Sequence, residues 1–306
     1  MQYDIIGDIH GEYDALVELL KKLEYHCVEG VWQHSSRQAI FLGDFIDRGL
    51  KQRAVLELVI PMVEHGKALA VMGNHEFNAL AFHTASAKNQ WLRPRSNKNI
   101  KQHLAFLNDY LHDEQALTRV LTFFRTLPLW LDLGPLRVVH ACWHTASLNI
   151  IKESCPDGLI TDVFLRAAST EGTPEYNALE TALKGLEIEL PRGQTITDKE
   201  GNTRDHIRIN WWSSHARTYR EAYVGPEGGR DSIPDDALGP GYTTGYDEHE
   251  PPVFIGHYWL HGTPSVLAKN IACLDYSVAR ADGKLVAYRW SGEQVLTDAS
   301  FVWVDR

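Results

Sequence analysis

Carboxylate, imidazole and amide side chains gather in three short motifs, and each motif directly follows a stretch predicted to form a buried strand. The motifs are GDIHG at residues 7–11, GDFIDRG at residues 43–49 and GNHE at residues 73–76. In open α/β sheets, binding sites lie at the carboxyl ends of the strands. We therefore expect the three motifs to meet at one site, where the glycines let the backbone turn tightly below a ligand.

These motifs, with two isolated histidines that follow later strands, form a candidate set of metal ligands. The set is Asp8, His10, Asp44, Asn74, His140 and His257. Mixed oxygen and nitrogen ligands suit manganese, iron, zinc or nickel rather than metals that prefer thiolates. The set is too large for one catalytic ion that must keep a coordination position open. It therefore predicts two divalent ions that share Asp44, an arrangement that clamps a phosphoryl group and lowers the pKa of a bridging water.

The three motifs resemble those of the calcineurin-like metallophosphoesterase superfamily and, within it, of the phosphoprotein-phosphatase branch, which carries GD-x-HG, GD-x-x-DRG and GNHE. The resemblance covers roughly residues 1–80, 128–145 and 253–290. It implies the α/β fold of that superfamily, a four-layer α/β/β/α sandwich with two mixed sheets and an inserted cap region. It also implies a hydrolase in which a metal-bridging hydroxide attacks the phosphate in line, without a phosphoenzyme intermediate.

The likeness to this family also implies a role for each candidate ligand. Asp8 and His10 would bind the first metal ion, and Asp44 would bridge the two ions. The remaining three residues would bind the second ion: Asn74, His140 and His257. We expect manganese first, with iron, zinc or nickel as alternatives.

Three further motif residues would act on the substrate, again by likeness to the family. His75 would be the general acid that protonates the leaving oxygen, and Asp47 would hold its ring. An imidazolium paired with a carboxylate suits that task. Arg48 would bind the substrate phosphate, because a guanidinium matches phosphate oxygens in bidentate fashion and keeps its charge. A second phosphate-binding arginine is expected upstream of the last metal ligand; the candidates are Arg217, Arg220 and Arg230, and spacing favours Arg230.

The first third of the chain alternates predicted strands with predicted helices. Strands are predicted at residues 2–6, 38–42 and 67–72, and helices at residues 12–24 and 51–64. This alternation predicts βαβ units with right-handed crossovers. We expect Pro61 to kink or fray the second helix.

The rest of the chain is less regular. Residues 78–126 are predicted to form a helical flank, and residues 128–133 and 136–141 two strands. Residues 155–250 are expected to be an inserted cap or long loops over the site. A second sheet is expected from four short strands at residues 253–256, 271–274, 284–290 and 301–304. We interpret residues 1–306 as a single domain with these additions.

Composition narrows the classes of function. The chain has 306 residues with 30 Lys and Arg against 40 Asp and Glu, a net charge of −10, which argues against an extended nucleic-acid-binding face. The four cysteines are scattered and form no disulfide or zinc pattern. No apolar run approaches the roughly 20 residues that span a bilayer, and the first residues lack a secretory signal pattern. We therefore expect a cytoplasmic protein that does not bind membranes.

Two substrate classes remain open. The first is phosphate monoesters, including phosphoserine and phosphothreonine proteins, and it is the one we favour. The second is dinucleoside tetraphosphates, because IACLD at residues 271–275 and GKL at residues 283–285 resemble the tail of the bacterial symmetrical diadenosine tetraphosphatase. The partner would accordingly be a phosphorylated small molecule, a nucleotide or a phosphoprotein. A non-catalytic binding module of the same fold is a third hypothesis, disfavoured because every motif position is intact.

Overall fold

Two stacked β-sheets position the strand ends that carry the motifs. The computed structural model describes residues 1–86, 90–197, 203–225, 227–239, 242 and 245–306. Within these residues the strands are β1 (Gln2–Ile6), β2 (His26–Val28), β3 (Val31–Gln33), β4 (Arg37–Phe41), β5 (Ala68–Ala70), β6 (Trp130–Asp132), β7 (Arg137–Val139), β8 (Glu187–Glu189), β9 (Ile196–Thr197), β10 (Thr203–Arg204), β11 (His206–Arg208), β12 (Val253–Ile255), β13 (Ile271–Cys273), β14 (Asp275–Tyr276), β15 (Lys284–Trp290) and β16 (Phe301–Asp305).

Helices connect most of these strands. They are α1 (Tyr13–Lys22), α2 (Gln52–Glu64), α3 (Asn74–His83), α4 (Asn97–Tyr110), α5 (Glu114–Thr126), α6 (Thr145–Ser154), α7 (Asp162–Ala168), α8 (Pro174–Lys184), α9 (Tyr219–Ala222) and α10 (Glu227–Arg230), with a 3₁₀ turn at Asp298–Ser300. In the part of the chain that the structure describes, none of the helices combines the length and apolar character needed to cross a membrane.

The first sheet has the strand order β14-β15-β1-β4-β5, and β16 pairs with β15. Strands β1, β4 and β5 run parallel, as the alternation of strands and helices predicts. Strand β15 pairs antiparallel with β1, and Tyr3 lies opposite Trp290. The prediction that residues 284–290 and 301–304 belong to the second sheet is therefore wrong. An apolar pattern identifies a strand, but its partner is decided by packing against distant segments.

The second sheet has the strand order β13-β12-β7-β6. Strand β12 runs parallel to both β7 and β13, whereas β6 pairs antiparallel with β7. Strand β7 ends just before His140, and β12 ends two residues before His257. Both isolated histidines therefore follow parallel strands of this sheet, on neighbouring positions.

A buried apolar layer fills the space between the two sheets. It includes Ile5 and Ile40 from the first sheet and Val138 and Phe254 from the second. The rings of Phe254 and Tyr288 lie 5.1 Å apart across this layer. A larger apolar cluster joins the outer faces of both sheets to the helices. The arrangement is the expected α/β/β/α sandwich of a mixed α/β fold.

Two helix expectations in the first third have different outcomes. Helix α1 buries the leucine stripe predicted by its spacing: Leu16, Leu19, Leu20 and Leu23 are fully buried. Helix α2 runs past Pro61 to Glu64, and the expected kink or fraying at the proline stays a prediction. In the flank, α3 begins already at Asn74, inside the third motif.

The insertion at residues 155–250 has a small core of its own, in addition to loops. Strands β8 and β11 pair with each other, as do β9 and β10. An apolar cluster that includes Ile188, Ile207 and Ile209 lies under these strands. The role of the insertion as a cap, and the interpretation of residues 1–306 as one domain, remain predictions.

Glycines allow the motif turns to approach each other closely, and Gly43 combines such an approach with left-handed backbone. Its φ is +88°, and a Cβ placed on it would overlap the backbone nitrogen of Gly73. The turn after β4 therefore lies directly against the turn after β5, which brings their polar side chains together.

We predict that Gly43→Ala destabilises the protein by about 3 kcal/mol or more, because left-handed backbone strain adds to a clash with main chain. Gly66→Ala is the matched control: its φ is +66°, but nothing lies within 4 Å of the added Cβ. The control should lose only about 1 kcal/mol. Urea unfolding of both variants measures the difference, and equal losses would contradict the close approach.

Candidate metal centre and active site

The site residues leave the strand ends with strained backbone. His10, Asp44, Asp47, Arg48 and His257 all have φ between +46° and +75°. Residues other than glycine seldom adopt this region, and such conformations persist only where the surrounding structure fixes them. They cluster here at one edge of the two sheets, as strained residues at functional sites do.

The side chain of Glu76 ties the second motif to the third. It accepts hydrogen bonds from the backbone nitrogens of Asp44 at 2.8 Å, Phe45 at 2.9 Å and Gly73 at 3.0 Å. Burial raises the pKa of Glu76 to about 7, and the charge of Asp44 adds to this shift. Glu76 therefore positions Asp44 from below, a role that the sequence motif alone does not reveal.

Asp44 lies at the centre of the site. Its Oδ2 atom is 3.3 Å from His140 Nε2, 3.7 Å from His10 Nε2 and 3.9 Å from His75 Nε2. Its Oδ1 atom accepts the backbone N–H of His75 at 3.0 Å. One carboxylate oxygen thus faces three imidazoles, and those of His10 and His140 belong to the predicted ligand set.

The other predicted ligands converge on the same point. Asn74 Oδ1 lies 2.7 Å from His257 Nδ1 and 3.2 Å from His140 Nε2. Asp8 Oδ2 accepts the backbone N–H of His257 at 3.1 Å. With His10, already beside Asp44, the structure brings together all six side chains of the predicted ligand set.

Among the described residues, two groups of three have ligand atoms that all lie within 4.8 Å of one another, and Asp44 belongs to both. One group is Asp44, His140 and His257; the other is His10, Asp44 and His75. The second group contains His75 where the resemblance implies Asp8. Because the two groups share Asp44, they outline two adjacent positions next to its carboxylate.

Backbone carbonyls orient the imidazole ligands. His10 Nδ1 donates to Ile46 O at 2.9 Å, and His140 Nδ1 donates to Leu42 O at 2.7 Å. Each ring thereby presents Nε2 to the site. This second hydrogen bond is typical of metal-binding histidines, because it fixes the tautomer and the ring orientation.

Burial and neighbouring charges shift the pKa values of the predicted ligands in different directions. Burial works against ionised Asp44, but His140 and His75 outweigh it and hold the pKa of Asp44 well below its usual value. Burial raises the pKa of Asp8 well above its usual value, and the neighbouring charge of Asp275 raises it further. Burial, followed by the charge of His75, lowers the pKa of His10 to about 3.

Two buried ligand atoms test whether this set fits divalent metal ions. Among the described residues, neither Asp8 Oδ1 nor His10 Nε2 has a hydrogen-bond partner, although both are buried. Buried polar atoms without partners are costly, whereas coordination satisfies them. The carboxylate, amide and imidazole donors therefore fit hard or borderline divalent ions.

His75 lies at the end of a buried hydrogen-bonded chain. Its Nδ1 donates to Asp47 Oδ2 at 2.5 Å, and His103 Nδ1 donates to Asp47 Oδ1 at 2.8 Å. Burial disfavours the charged His75 ring, but Asp44 and Asp47 outweigh it and raise the pKa of His75. Asp47 has its pKa lowered because the bonds from His103 and His75 overcome the effect of burial.

Sequence reasoning missed His103, which lies on α4 outside every motif. A signal was present: His103 shares the inward stripe of the helix with Phe106 and Tyr110, at positions i, i+3 and i+7. A histidine in an otherwise apolar stripe needs a buried partner. Here Phe106 stacks on the His103 ring at 4.6 Å, and Asp47 accepts a hydrogen bond from that ring.

Arg48 is held by an aromatic ring that sequence reasoning also missed. Its guanidinium carbon lies 3.4 Å from the ring centroid of Trp259. Asp275 fixes that loop, because its carboxylate accepts the backbone N–H groups of Trp259 at 2.8 Å and Ser277 at 2.9 Å. Arg230, by contrast, is exposed at the end of α10, and in the described part of the chain no contact joins it to the other predicted site residues.

We predict that Asp44→Asn lowers the divalent metal content to less than one ion per chain, because the shared negative oxygen is lost. Wild type and variant are equilibrated with Mn²⁺, desalted and measured by elemental analysis. Asp14→Asn, which removes an exposed carboxylate on α1, is the control and should bind as wild type does. An Asp44→Asn variant that keeps two ions would contradict the central position of Asp44.

Parts of the chain are similar in sequence to bis(5'-nucleosyl)-tetraphosphatases. The asymmetrical bis(5'-nucleosyl)-tetraphosphatase PrpE of Anoxybacillus flavithermus is 45% identical over 148 residues, which are 46% of this chain and 57% of the relative. The PrpE protein of Halalkalibacterium halodurans is 47% identical over 76 residues, 24% of this chain and 31% of the relative. The chain thus spans about a third to just over half of the length of these relatives.

Similarity to solved structures extends over the whole fold. A protein serine/threonine phosphatase from Saccharomyces cerevisiae matches with a TM-score of 0.52 and 12% identity, covering 100% of this chain and 80% of that chain. At this identity the match shows a common fold. The family model for calcineurin-like phosphoesterases matches residues 1–257. Because this match includes most of the chain and all six predicted ligands, the chain belongs to the calcineurin-like phosphoesterase family.

Proposed function

We propose that this chain is a phosphoesterase that hydrolyses phosphate monoesters, including those of phosphoserine and phosphothreonine proteins, with two divalent metal ions. One observation carries the proposal: the buried Asp44 oxygen faces three imidazoles, and one of these belongs to His75, the proposed general acid. When bound, the ions supply Lewis-acid charge neutralisation and lower the pKa of a coordinated water. Manganese is our first choice for the metal, ahead of iron, zinc and nickel.

The ligand residues divide into two groups in this proposal. Asp8 and His10 hold one ion, and Asp44 is shared. The second ion is held by Asn74, His140 and His257. The carbonyl contacts that orient His10 and His140 support these roles, because a preset ring costs less entropy on binding.

His75 supplies the proton that the leaving oxygen needs. Its hydrogen bond to Asp47 and its raised pKa favour the charged form of the ring, as a general acid requires. Asp47 and His103 are positioning residues, because they fix the ring without reaching the substrate. Arg48 binds the phosphate oxygens, and stacking on Trp259 holds the guanidinium in place.

We predict that His75→Asn lowers kcat for an unactivated ester such as glycerol 2-phosphate by roughly 10²–10⁴-fold. The loss for p-nitrophenyl phosphate should be smaller, because that leaving group hardly needs a proton. Metal content should stay at the wild-type level. His65→Asn, on the exposed end of α2, is the control. Equal turnover of glycerol 2-phosphate by wild type and His75→Asn would refute the acid role.

A second candidate function is the hydrolysis of dinucleoside tetraphosphates. The names of the relatives favour it, and so does the likeness of residues 271–275 and 283–285 to a symmetrical tetraphosphatase. The relatives are asymmetrical enzymes, so product analysis decides between the two cleavage modes: asymmetrical cleavage of diadenosine tetraphosphate yields ATP and AMP, and symmetrical cleavage yields two molecules of ADP.

The experiment that tests the proposed function is a parallel assay with Mn²⁺ on p-nitrophenyl phosphate, a phosphothreonine peptide and diadenosine tetraphosphate. Metal-dependent hydrolysis of p-nitrophenyl phosphate supports the proposal, and the ranking of kcat/KM for the other two gives the substrate class. Absence of hydrolysis of all three at full metal loading would refute the proposal in favour of a binding module.

A further inference from the structure

A cleft of about 450 Å³ borders the candidate metal centre on the far side of Trp259. We call it the arginine cleft, after Arg208 at the end of β11 and Arg280 in the loop after β14. Trp259 belongs to both regions: Arg48 stacks on its ring, and the guanidinium carbon of Arg280 lies 5.2 Å from the same ring centroid. A molecule bound by Arg48 therefore has this cleft as a direct neighbour.

The charge of the cleft is opposite to that of the protein. The chain carries a net charge of −10, yet the described residues that line the cleft include Arg208, Arg280 and His261 and, among them, no Asp or Glu. Arg208 lies near the segment that carries His257, because its guanidinium carbon is 5.8 Å from the ring centroid of Tyr258. A cleft lined by arginines attracts anions.

Both arginines have N–H groups that are available to a ligand. The nearest carboxylate to Arg208 is that of Glu187, at 3.5 Å, and among the described residues its buried Nε has no hydrogen-bond partner. In the described part of the chain, no ion pair involves Arg280, whose guanidinium lies over the ring of Trp259. A guanidinium with no acidic partner, or with one long ion pair as in Arg208, keeps donors for bidentate binding of phosphate oxygens.

The other walls of the cleft are aromatic and apolar. Tyr258, Trp259 and Tyr276 supply rings, and Leu260 and Val224 supply aliphatic surface. The volume lies within the range of roughly 300–1,000 Å³ that is usual for small-molecule sites. The combination suits a ligand with several phosphates and one planar, weakly polar group.

We propose that the arginine cleft binds the part of a nucleoside polyphosphate that lies beyond the scissile phosphate. Arg208 and Arg280 bind its additional phosphates, and the aromatic walls contact the base. The proposal rests on the proposed phosphoesterase site and on its second candidate substrate, a dinucleoside tetraphosphate, because Arg48 and His75 act on the scissile phosphate itself. In this proposal Arg208 and Arg280 bind phosphate in addition to Arg48. They take the role of the second phosphate-binding arginine, for which the sequence spacing favours Arg230.

The test compares Arg280→Gln and Arg208→Gln with wild type, each loaded with Mn²⁺. For each variant, kcat/KM is measured with diadenosine tetraphosphate and with p-nitrophenyl phosphate, which has no second phosphate. We expect the ratio of the two values to fall about tenfold in each variant, through a higher KM for the nucleotide, because one charge-assisted contact is lost. Arg280→Lys should recover part of the ratio. Arg125→Gln, on an exposed arginine that pairs with Asp162, is the control and should keep the wild-type ratio.

Two results would overturn the proposal. An unchanged ratio in both variants, or an equal loss with both substrates, would show that the arginines do not bind a distal phosphate. A loss confined to the phosphothreonine peptide would assign the cleft to phosphoproteins instead.

The two proposals fail in different ways. Wild-type protein that hydrolyses p-nitrophenyl phosphate but not diadenosine tetraphosphate contradicts the nucleotide cleft and leaves the phosphoesterase proposal standing. Wild-type protein that hydrolyses none of the substrates contradicts both.

Discussion

A carboxylate buried among imidazoles is the constraint on which the rest of the site depends. Asp44 is only 2% exposed, and its oxygen faces His10, His75 and His140. A charge in such a place is stable only with compensating positive charge or coordination. The motif turns, the left-handed backbone and the backbone hydrogen bonds that Glu76 accepts all serve to hold that one oxygen in place. A site built this way favours cations, and through them it favours phosphate.

The groups around the site have different functions according to their position. Polar groups below it, such as Glu76 and Asp275, accept backbone N–H groups and fix the loops. Groups beside it hold the residues that would act on the substrate: His103 through Asp47, and Trp259 through its stack on Arg48. The arginine cleft lies beyond these. The acidic balance of the chain as a whole therefore says little about the local field where the substrate would bind.

The sequence was most informative where chemistry is encoded locally. The three motifs predicted the neighbouring strand ends because glycines, carboxylates and histidines occur there at fixed spacing. His103, Trp259, Asp275 and Arg208 could not be assigned from the sequence, because each acts through a neighbour that is distant along the chain. The pairing of β15 with β1 was missed for the same reason: a buried strand pattern does not name its partner. For the insertion, the sequence indicates only a cap or long loops, because its short strands lie among polar and glycine-rich stretches.

The most direct test of the account is an electron paramagnetic resonance spectrum of the wild-type protein loaded with two equivalents of Mn²⁺. Two ions that share the Asp44 oxygen are separated by about 3.5–4 Å, so the account predicts the spectrum of a spin-coupled pair. The spectrum of isolated Mn²⁺ ions, with no coupled signal at full loading, would contradict it.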